Sequence, residues 1–333
     1  MVRVKKIIAA LLAIWILSGI FTRASALESV GRSEINEREA IERMVDGFGR
    51  FEKSVDLSDL NIPISSLSML FSHATKNTPY LFYVEKRLTY TYRKDTVVEV
   101  IPQYNMTQDE ATAAIAFCQG EISKMATIVQ RGEGELERLI LAHDLICSRF
   151  EYDLSLENNN IYKFIREGKG TCQGYAWTYM ALLRKLGIEC EYVASDTIEH
   201  IWLRVKIDGE WYNSDVTWDD PVVNDGMFSC ISRRHLLFSD ARAEMDGYIN
   251  SYSVGENDCV SAKYDGVDLA DVVSPGHAAG DNDHNGVVEL LDLVALLQNN
   301  GECPICSDVD LDFVLAENDI DALRELILTN LRE

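Results

Sequence analysis

A run of apolar residues at helical spacing follows a short loop signal near the middle of the chain. The run begins at Cys172, directly after Lys169-Gly170-Thr171, and stops at Gly187. Its apolar positions are Ala176, Tyr179, Met180, Leu183 and Leu186. This spacing predicts an amphipathic helix that starts at Cys172. Its thiol is then expected beside the unpaired N–H groups and the positive dipole end of the helix, where an ionised sulfur is favoured.

Three short runs with alternating side-chain character come next, and we interpret them as β-strands. They cover 191–195, 200–207 and 211–216, and Asp208-Gly209 is a hairpin turn signal between the last two. His200 lies about as far before this turn as Asp215 lies after it, so antiparallel pairing is expected to place them near opposite positions. A histidine base oriented by an acid is what a cysteine nucleophile requires. Cys172, His200 and Asp215 are therefore candidate catalytic residues.

The chain before Cys172 predicts mainly helices. Helices are predicted over 34–53, 65–74, 107–130 and 135–150, and strands over 81–92 and 96–101. His143 falls on the apolar face of the helix over 135–150, so we expect it to be a buried, hydrogen-bonded structural histidine. Helices before the thiol and antiparallel strands after it predict an α+β fold, in which the Cys172 helix packs on the sheet.

Three ordered sequence blocks resemble those of the transglutaminase-like superfamily of papain-type thiol enzymes. The blocks are GTCQGYAWTYMALLRKLGI, HIWLRVKIDGEWY and DVTWDDP. The resemblance implies a papain-like core with a nucleophile helix packed on an antiparallel sheet. It also implies that Cys172 is the nucleophile, His200 the base and Asp215 the acid that orients the base. The implied reaction is attack on a carboxamide or peptide carbonyl of a peptide or protein substrate, and the acyl acceptor, water or an amine, is left open.

One position departs from the pattern of many bacterial members of that superfamily. They carry His-x-Trp-Asn, whereas Leu203 follows Trp202 in this chain. The asparagine is not one of the three catalytic groups, so enzymatic activity is the main expectation. The departure defines the alternative interpretation, in which the domain is catalytically inactive and binds peptide or glycan.

The N-terminal segment has the pattern of a secretory signal peptide. Arg3, Lys5 and Lys6 precede an apolar run over 7–21, and the small residues Ala24-Ser25-Ala26 follow it. We expect cleavage after residue 26 and a secreted protein in an extracellular or cell-surface complex; an uncleaved anchor is the alternative. No later segment reaches the run of about 18 apolar residues that a membrane span needs, so no span is expected after cleavage.

The chain is strongly acidic, with a formal net charge of −23. Removal of residues 1–26 takes away four basic residues and no acidic one, so the mature chain is more acidic still. This charge predicts repulsion from nucleic acid and anionic membranes. Eight cysteines are too few for a disulfide scaffold of 333 residues. Only Cys303 and Cys306 are closely spaced, and whether they form a small disulfide is left open.

The composition changes at Tyr264, and two similar acidic segments follow a linker. Each segment has oxygen-bearing side chains at positions 1, 3, 5 and 12 and can offer a backbone carbonyl at position 7, which is the spacing of a calcium loop. The candidate ligands are Asp281, Asp283, Asn285, Val287 and Asp292 in the first loop, and Asp308, Asp310, Asp312, Val314 and Asp319 in the second. We expect two Ca²⁺ ions, one in each loop.

Each loop leads into a predicted helix, over 290–298 and 318–331, and Ser274-Pro275-Gly276 excludes a helix before the first loop. Two loop–helix units with aspartate at position 12 resemble a dockerin. The resemblance implies a small all-α module whose partner is a cohesin domain on an extracellular scaffold, as in a cellulosome, a polysaccharide-degrading complex. The predicted organisation is a signal peptide (1–26), a helical and β-hairpin region (27–130), a transglutaminase-like catalytic domain (131–263), a linker (264–279) and the dockerin (280–333).

Overall fold

The computed structural model describes most of the chain from residue 35 to residue 269 and part of the C-terminal region. The described residues are 35–130, 132, 134–156, 158–220, 232–249, 251–253, 257–267, 269, 293 and 317–330. The chain divides between Met106 and Thr107 into two compact units. Within the described residues, no helix is both long enough and apolar enough to cross a membrane.

The described part of the first unit combines helices with a three-stranded antiparallel sheet. Its elements are α1 (35–49), β1 (Val55–Asp56), α2 (Ile64–Lys76), β2 (Tyr90–Arg93) and β3 (Thr96–Val100), with the sheet order β1-β3-β2. Strand β2 is shorter than the strand predicted over 81–92. Residues 81–84 are all buried, and a 3-10 turn (Pro79–Leu81) leads into them. A continuous apolar run does not distinguish a strand from other buried backbone, which explains the difference.

The second unit is α+β, as the sequence predicts. Its described helices are α3 (Gln108–Val129), α4 (Glu135–Arg149), α5 (Ile161–Glu167), α6 (Cys172–Lys185), α7 (Asp240–Asp246) and α8 (Glu317–Asn330). Its strands are β4 (Glu151–Tyr152), β5 (Lys169–Gly170), β6 (Cys190–Ser195), β7 (His200–Ile207), β8 (Glu210–Ser214), β9 (Leu236–Phe238) and β10 (Tyr252–Ser253). The main sheet is antiparallel, in the order β10-β6-β7-β8-β9, and β4 pairs with β5 in parallel. Helix α6 packs against α3, α4, α5, β6 and β7.

The β7–β8 hairpin contains the turn that the sequence predicts. Asp208 and Gly209 have φ values of 54° and 84°, and the flanking residues Ile207 and Glu210 pair with each other. Positive φ at both central residues is typical of a type I′ turn, whose twist matches that of the strands it joins. The turn fixes the register of β7 against β8, and with it the position of His200 along the hairpin.

Helix α3 begins with a capping box. The Thr107 side chain accepts a hydrogen bond from the Glu110 N–H at 3.4 Å, and the Glu110 carboxylate accepts one from the Thr107 N–H at 2.8 Å. Both bonds satisfy N–H groups at the helix start. The helix packs against α4, α5 and α6. It therefore belongs to the unit that begins at Thr107, whereas the boundary predicted from the sequence lies between residues 130 and 131.

Helix α8 covers nearly the same residues as the second helix predicted for the C-terminal module. Leu323 and Ile327 on α8 are buried, and Ile320 and Leu293 pack against them. Leu293 is itself helical and lies within the other predicted helix, over 290–298. The described residues thus place a contact between the two segments that the sequence predicts as helices.

Candidate active site

The first turn of α6 holds the thiol of Cys172, which is half-buried. The backbone around this turn approaches its neighbours closely. A Cβ atom at Gly170 would lie 2.5 Å from the carbonyl oxygen of Asn158, and one at Gly174 would lie 2.6 Å from Cδ2 of Phe164. Both distances are shorter than a carbon side chain permits. Glycine on each side of Cys172 therefore lets the start of α6 pack tightly against the residues before it.

His200 and Asp215 contact each other directly. The Nε2 atom of His200 lies 2.6 Å from Oδ2 of Asp215, and both side chains are buried. The residues are not directly opposite, however. Leu203 pairs with Ser214. If this register continues by one residue, Trp202 lies opposite Asp215, and His200 lies two residues before Trp202 on the same strand. The contact is therefore diagonal across the hairpin, a separation that long side chains bridge.

The surroundings of the His200 imidazole, including Cys172, raise its pKa. Burial alone lowers the pKa of His200, but the charge and hydrogen bond of Asp215, together with a hydrogen bond to Cys172, raise it to about 10. The imidazole also stacks on Trp218, with ring centroids 4.8 Å apart and planes 16° apart. An aromatic face attracts a cation. His200 is therefore held as an imidazolium near neutral pH, in contact with the Asp215 carboxylate.

The Asp215 carboxylate accepts hydrogen bonds on both oxygens. Its Oδ1 accepts from the backbone N–H groups of Thr217 at 2.9 Å and Trp218 at 3.2 Å. Its Oδ2 accepts from the Tyr248 hydroxyl at 2.8 Å, in addition to its contact with His200. Tyr248 is not among the residues predicted from the sequence. It lies 33 residues after Asp215 in a segment without strand or helix periodicity, so no spacing connects the two.

Asp219 fixes the segment that follows Asp215. Its carboxylate accepts from the backbone N–H of His235 at 2.9 Å, and it lies 3.0 Å from Nδ1 of His235 and 3.1 Å from Nε2 of His143. The other ring nitrogen of His143 lies 2.9 Å from Oδ1 of Asp144. His143 and Asp219 are fully buried. His143 is thus buried and hydrogen-bonded, as its position on the apolar helix face predicts.

The His143–Asp219 pair is ionic. Burial lowers the pKa of His143, but Cys147 and the carboxylates of Asp144 and Asp219 raise it well above its ordinary value. Burial raises the pKa of Asp219, yet the hydrogen bonds from His143 and His235 bring it below its ordinary value. Because burial also raises the pKa of Cys147, that thiol stays protonated, and the two carboxylates supply the negative charge beside His143.

Leu203 takes no part in the His200–Asp215 contact. It is 1% exposed and pairs with Tyr192 on β6 and Ser214 on β8. Positions 200 and 203 are an odd number of residues apart, so their side chains leave β7 on opposite faces. The departure from His-x-Trp-Asn therefore changes a packed position on the other side of the strand from the imidazole.

The predicted calcium ligands lie almost entirely outside the described residues. These positions are Asp281, Asp283, Asn285, Val287, Asp292, Asp308, Asp310, Asp312 and Val314, and Cys303 and Cys306 lie outside as well. The backbone of Asp319 is in α8. Among the residues that the structure does describe, no group of three or more histidine, cysteine, aspartate or glutamate side chains is arranged to hold a metal ion.

Part of the second unit is similar to a known protein family. Residues 123–216 match the model of the transglutaminase-like superfamily. This range is somewhat more than a quarter of the chain and includes Cys172, His200 and Asp215.

Two curated relatives are named kyphoscoliosis peptidase. The protein from Mus musculus is 24% identical over 136 residues, which are 35% of this chain and 21% of the relative. The protein from Homo sapiens is 25% identical over 120 residues, which are 30% of this chain and 18% of the relative. The chain thus spans about a fifth of the length of these relatives. Among solved structures, a candidate cysteine protease from Cytophaga hutchinsonii is 20% identical, with a TM-score of 0.27, over 45% of this chain and 54% of that one.

Proposed function

We propose that the part of the second unit up to residue 263 forms a cysteine-dependent acyl-transfer domain that acts on peptide or carboxamide bonds. Cys172 is the nucleophile, His200 moves the proton and Asp215 orients His200. The observation that carries this proposal is the 2.6 Å contact between His200 Nε2 and Asp215 Oδ2. Cys172 also contributes to the raised pKa of the same ring. The transglutaminase-like match spans all three residues and supports the same assignment.

The first half of the reaction forms a thioester. The Cys172 thiolate attacks the substrate carbonyl carbon, and the carbonyl π electrons move onto oxygen. The C–N bond then breaks, and the departing nitrogen takes the proton of the His200 imidazolium. The backbone N–H of Cys172, in the first turn of α6, is the natural donor to the oxyanion because a helix start leaves N–H groups without partners. Gln173 beside it is a second candidate donor.

The second half of the reaction transfers the acyl group to an acceptor. Water or an amine attacks the thioester carbonyl while neutral His200 takes its proton, and the C–S bond breaks to restore the thiolate–imidazolium pair. Water gives hydrolysis of a peptide or carboxamide, and an amine gives a new amide. The names of the two curated relatives, both peptidases, favour water as the acceptor.

The alternative is a catalytically inactive domain that binds peptide or glycan. Its basis in the sequence is Leu203. Because Leu203 is packed on the face of β7 opposite to His200, it gives no physical reason for the imidazole to lose its function. The acyl-transfer proposal is therefore preferred.

Product analysis tests this proposal. The full chain is incubated with a peptide pool, with and without an added primary amine, and the products are identified by mass spectrometry. We expect shortened or deamidated peptides from the native chain, amine adducts if the acceptor site admits an amine, and no product from Cys172→Ala. Cys118→Ala, which removes a buried thiol far along the sequence from these groups, is the matched control and should retain activity. An absence of both product types from the native chain would support the inactive alternative.

We further propose that the chain is secreted and attached to a cohesin-bearing scaffold through a C-terminal dockerin. The signal-peptide pattern over 1–26 and the two calcium-loop spacings support this. The packing of Leu293 against Leu323 and Ile327 is what two loop–helix units need to form a common core. The ten candidate ligands would bind two Ca²⁺ ions, whose charge offsets the aspartates of each loop.

Calcium removal tests the proposed dockerin over residues 280–333. With a chelator, we expect helical circular dichroism to fall by the share that residues 280–333 contribute, because the loops cannot hold their acidic side chains together without the ion. Binding to an immobilised cohesin should be lost at the same time. Iodoacetamide labelling of Cys172 should be unchanged, since the proposed site draws on residues before 263. Loss of that labelling upon chelation would contradict the independence of the two modules.

A further inference from the structure

Tyr248 contacts the proposed catalytic pair from outside the three sequence blocks. It follows α7 and Gly247, whose φ of 94° allows the chain to turn sharply at the helix end. The Tyr248 N–H bonds back to the Ala243 carbonyl at 2.9 Å, which fixes the turn. The side chain is only 3% exposed. The backbone and the packing thus leave the Tyr248 hydroxyl with a defined direction.

The hydroxyl donates to the carboxylate oxygen that also faces the imidazole. Tyr248 Oη lies 2.8 Å from Oδ2 of Asp215, and His200 Nε2 lies 2.6 Å from the same atom. The aromatic ring is held by neighbours on several sides, with centroid distances of 4.3 Å to Trp218 and 4.8 Å to Trp202. Burial, followed by the nearby charge of Asp215, raises the pKa of Tyr248, so the hydroxyl keeps its proton and can only be the donor in this bond.

We propose that Tyr248 is a positioning residue that fixes the Asp215 carboxylate and limits how strongly that carboxylate holds the His200 imidazolium. Among the described residues, four donors surround the carboxylate: two backbone N–H groups on Oδ1, and His200 and Tyr248 on Oδ2. Two donors on one oxygen share its charge. Tyr248 therefore weakens the electrostatic attraction between Oδ2 and the imidazolium. His200 then remains able to release its proton to a leaving nitrogen.

The effect of Tyr248 on Asp215 and His200 does not depend on the proposed function; only its role in catalysis rests on that proposal. The titratable groups that face the pair from neighbouring elements are Cys172 on α6, next to His200, and Asp219, Asp246 and His235, next to Tyr248. None of them donates to Oδ2 of Asp215 in the described residues. The Tyr248→Phe substitution removes the Tyr248 hydroxyl donor from that oxygen and keeps the ring in its packing site.

NMR titration of His200 tests the inference without a substrate. The full chain is labelled on its histidines, and the His200 signal is assigned from its absence in His200→Gln. In Tyr248→Phe we expect the His200 titration midpoint to move upward by about one pH unit, since a hydrogen bond to a charged group is worth roughly one such unit. The Nε2–H proton should also move downfield. A residue that only supports the fold would alter stability and leave the midpoint in place, and an unchanged midpoint would overturn the inference.

Tyr212→Phe is the matched control. Tyr212 lies on β8 and is 1% exposed, and its hydroxyl is 2.9 Å from Ser261 Oγ rather than near Asp215. It should leave the His200 midpoint unchanged.

If Tyr248→Phe does not fold, uniform incorporation of a fluorotyrosine gives a second test. A fluorinated phenol is a stronger donor, so the midpoint should move downward in the native sequence, and an upward or absent shift would contradict the proposal. A shift in the expected direction together with absent turnover would separate this inference from the proposed function.

Discussion

Asp215→Asn should slow the alkylation of Cys172 at pH 6 by about 10- to 1,000-fold, because an opposite charge nearby shifts a titrating group by roughly one to three pH units. Asparagine retains the size of the side chain and can still accept from the Thr217 and Trp218 N–H groups. Its carboxamide carries no charge to stabilise the imidazolium. Without that charge, burial lowers the pKa of His200, so less imidazolium is present beside Cys172 at pH 6. The acyl-transfer rate should fall by roughly 10²- to 10⁴-fold, the contribution typical of a positioned base.

Peptide-resolved mass spectrometry gives a clean measurement of this effect. Trypsin releases residues 170–184, which contain Cys172 and no other cysteine. The matched control is Asp196→Asn, which removes an exposed carboxylate from the turn between β6 and β7, four residues before His200. The control should alkylate at the native rate. Equal rates in the native chain and in Asp215→Asn would mean that the carboxylate does not act on the imidazole.

Asp219→Ala should destabilise the second unit by about 3–5 kcal/mol, the range for removing one partner of a buried ion pair. The substitution leaves the buried His143 with Asp144 as its remaining carboxylate and leaves the His235 N–H without its acceptor. It also releases the segment that carries Asp215, which Asp219 anchors to α4 and to the residue before β9.

The loss of stability should depend on pH in a defined direction. The pKa of His143 is raised in the folded protein, so its contribution is fully present below about 6.5, its unfolded value, and declines as the pH rises toward the folded value. The pKa of Asp219 is lowered, so its contribution is present above about 3.9 and is lost as the pH falls. The difference between native and variant free energies of unfolding should therefore be larger at pH 5.5 than at pH 8.5.

Urea unfolding followed by tryptophan fluorescence measures this difference. Trp177, Trp202, Trp211 and Trp218 all lie in the second unit, so their signal reports its unfolding. Glu189→Ala is the control, because it removes a carboxylate from an exposed pair with Lys206 and should cost no more than about 1 kcal/mol. A cost for Asp219→Ala as small as that of the control would show that the network around His143 contributes little to the fold.

The parts of the site that could be predicted are those set by local sequence. The Asp208-Gly209 turn fixes the hairpin register, and the glycine-flanked start of α6 fixes Cys172, so nearby spacing carries the information. The hairpin predicts His200 and Asp215 near opposite positions; they lie two residues from direct opposition, and the side chains make the contact diagonally. Helical periodicity also predicted the burial of His143 and nearly all of α8.

Tyr248 and the acceptor role of Asp219 could not be predicted in this way. Each depends on segments distant in sequence that meet only in the folded protein: Tyr248 reaches Asp215 across 33 residues, and His143 reaches Asp219 across 76. Neither contact follows a strand or helix period, and an aspartate or tyrosine at such a position looks like an ordinary surface residue. Their identification needs the tertiary packing of α4, α7 and the main sheet.

The central claim is that Cys172 and His200 act as an ion pair supported by Asp215. The most direct measurement is the rate of iodoacetamide labelling of peptide 170–184 as a function of pH, in the native chain and in His200→Ala. The native chain should react at pH 6 nearly as fast as at neutral pH, and this low-pH reactivity should disappear in His200→Ala. A single rise near the ordinary thiol value of about 8.5, identical in both proteins, would contradict the account.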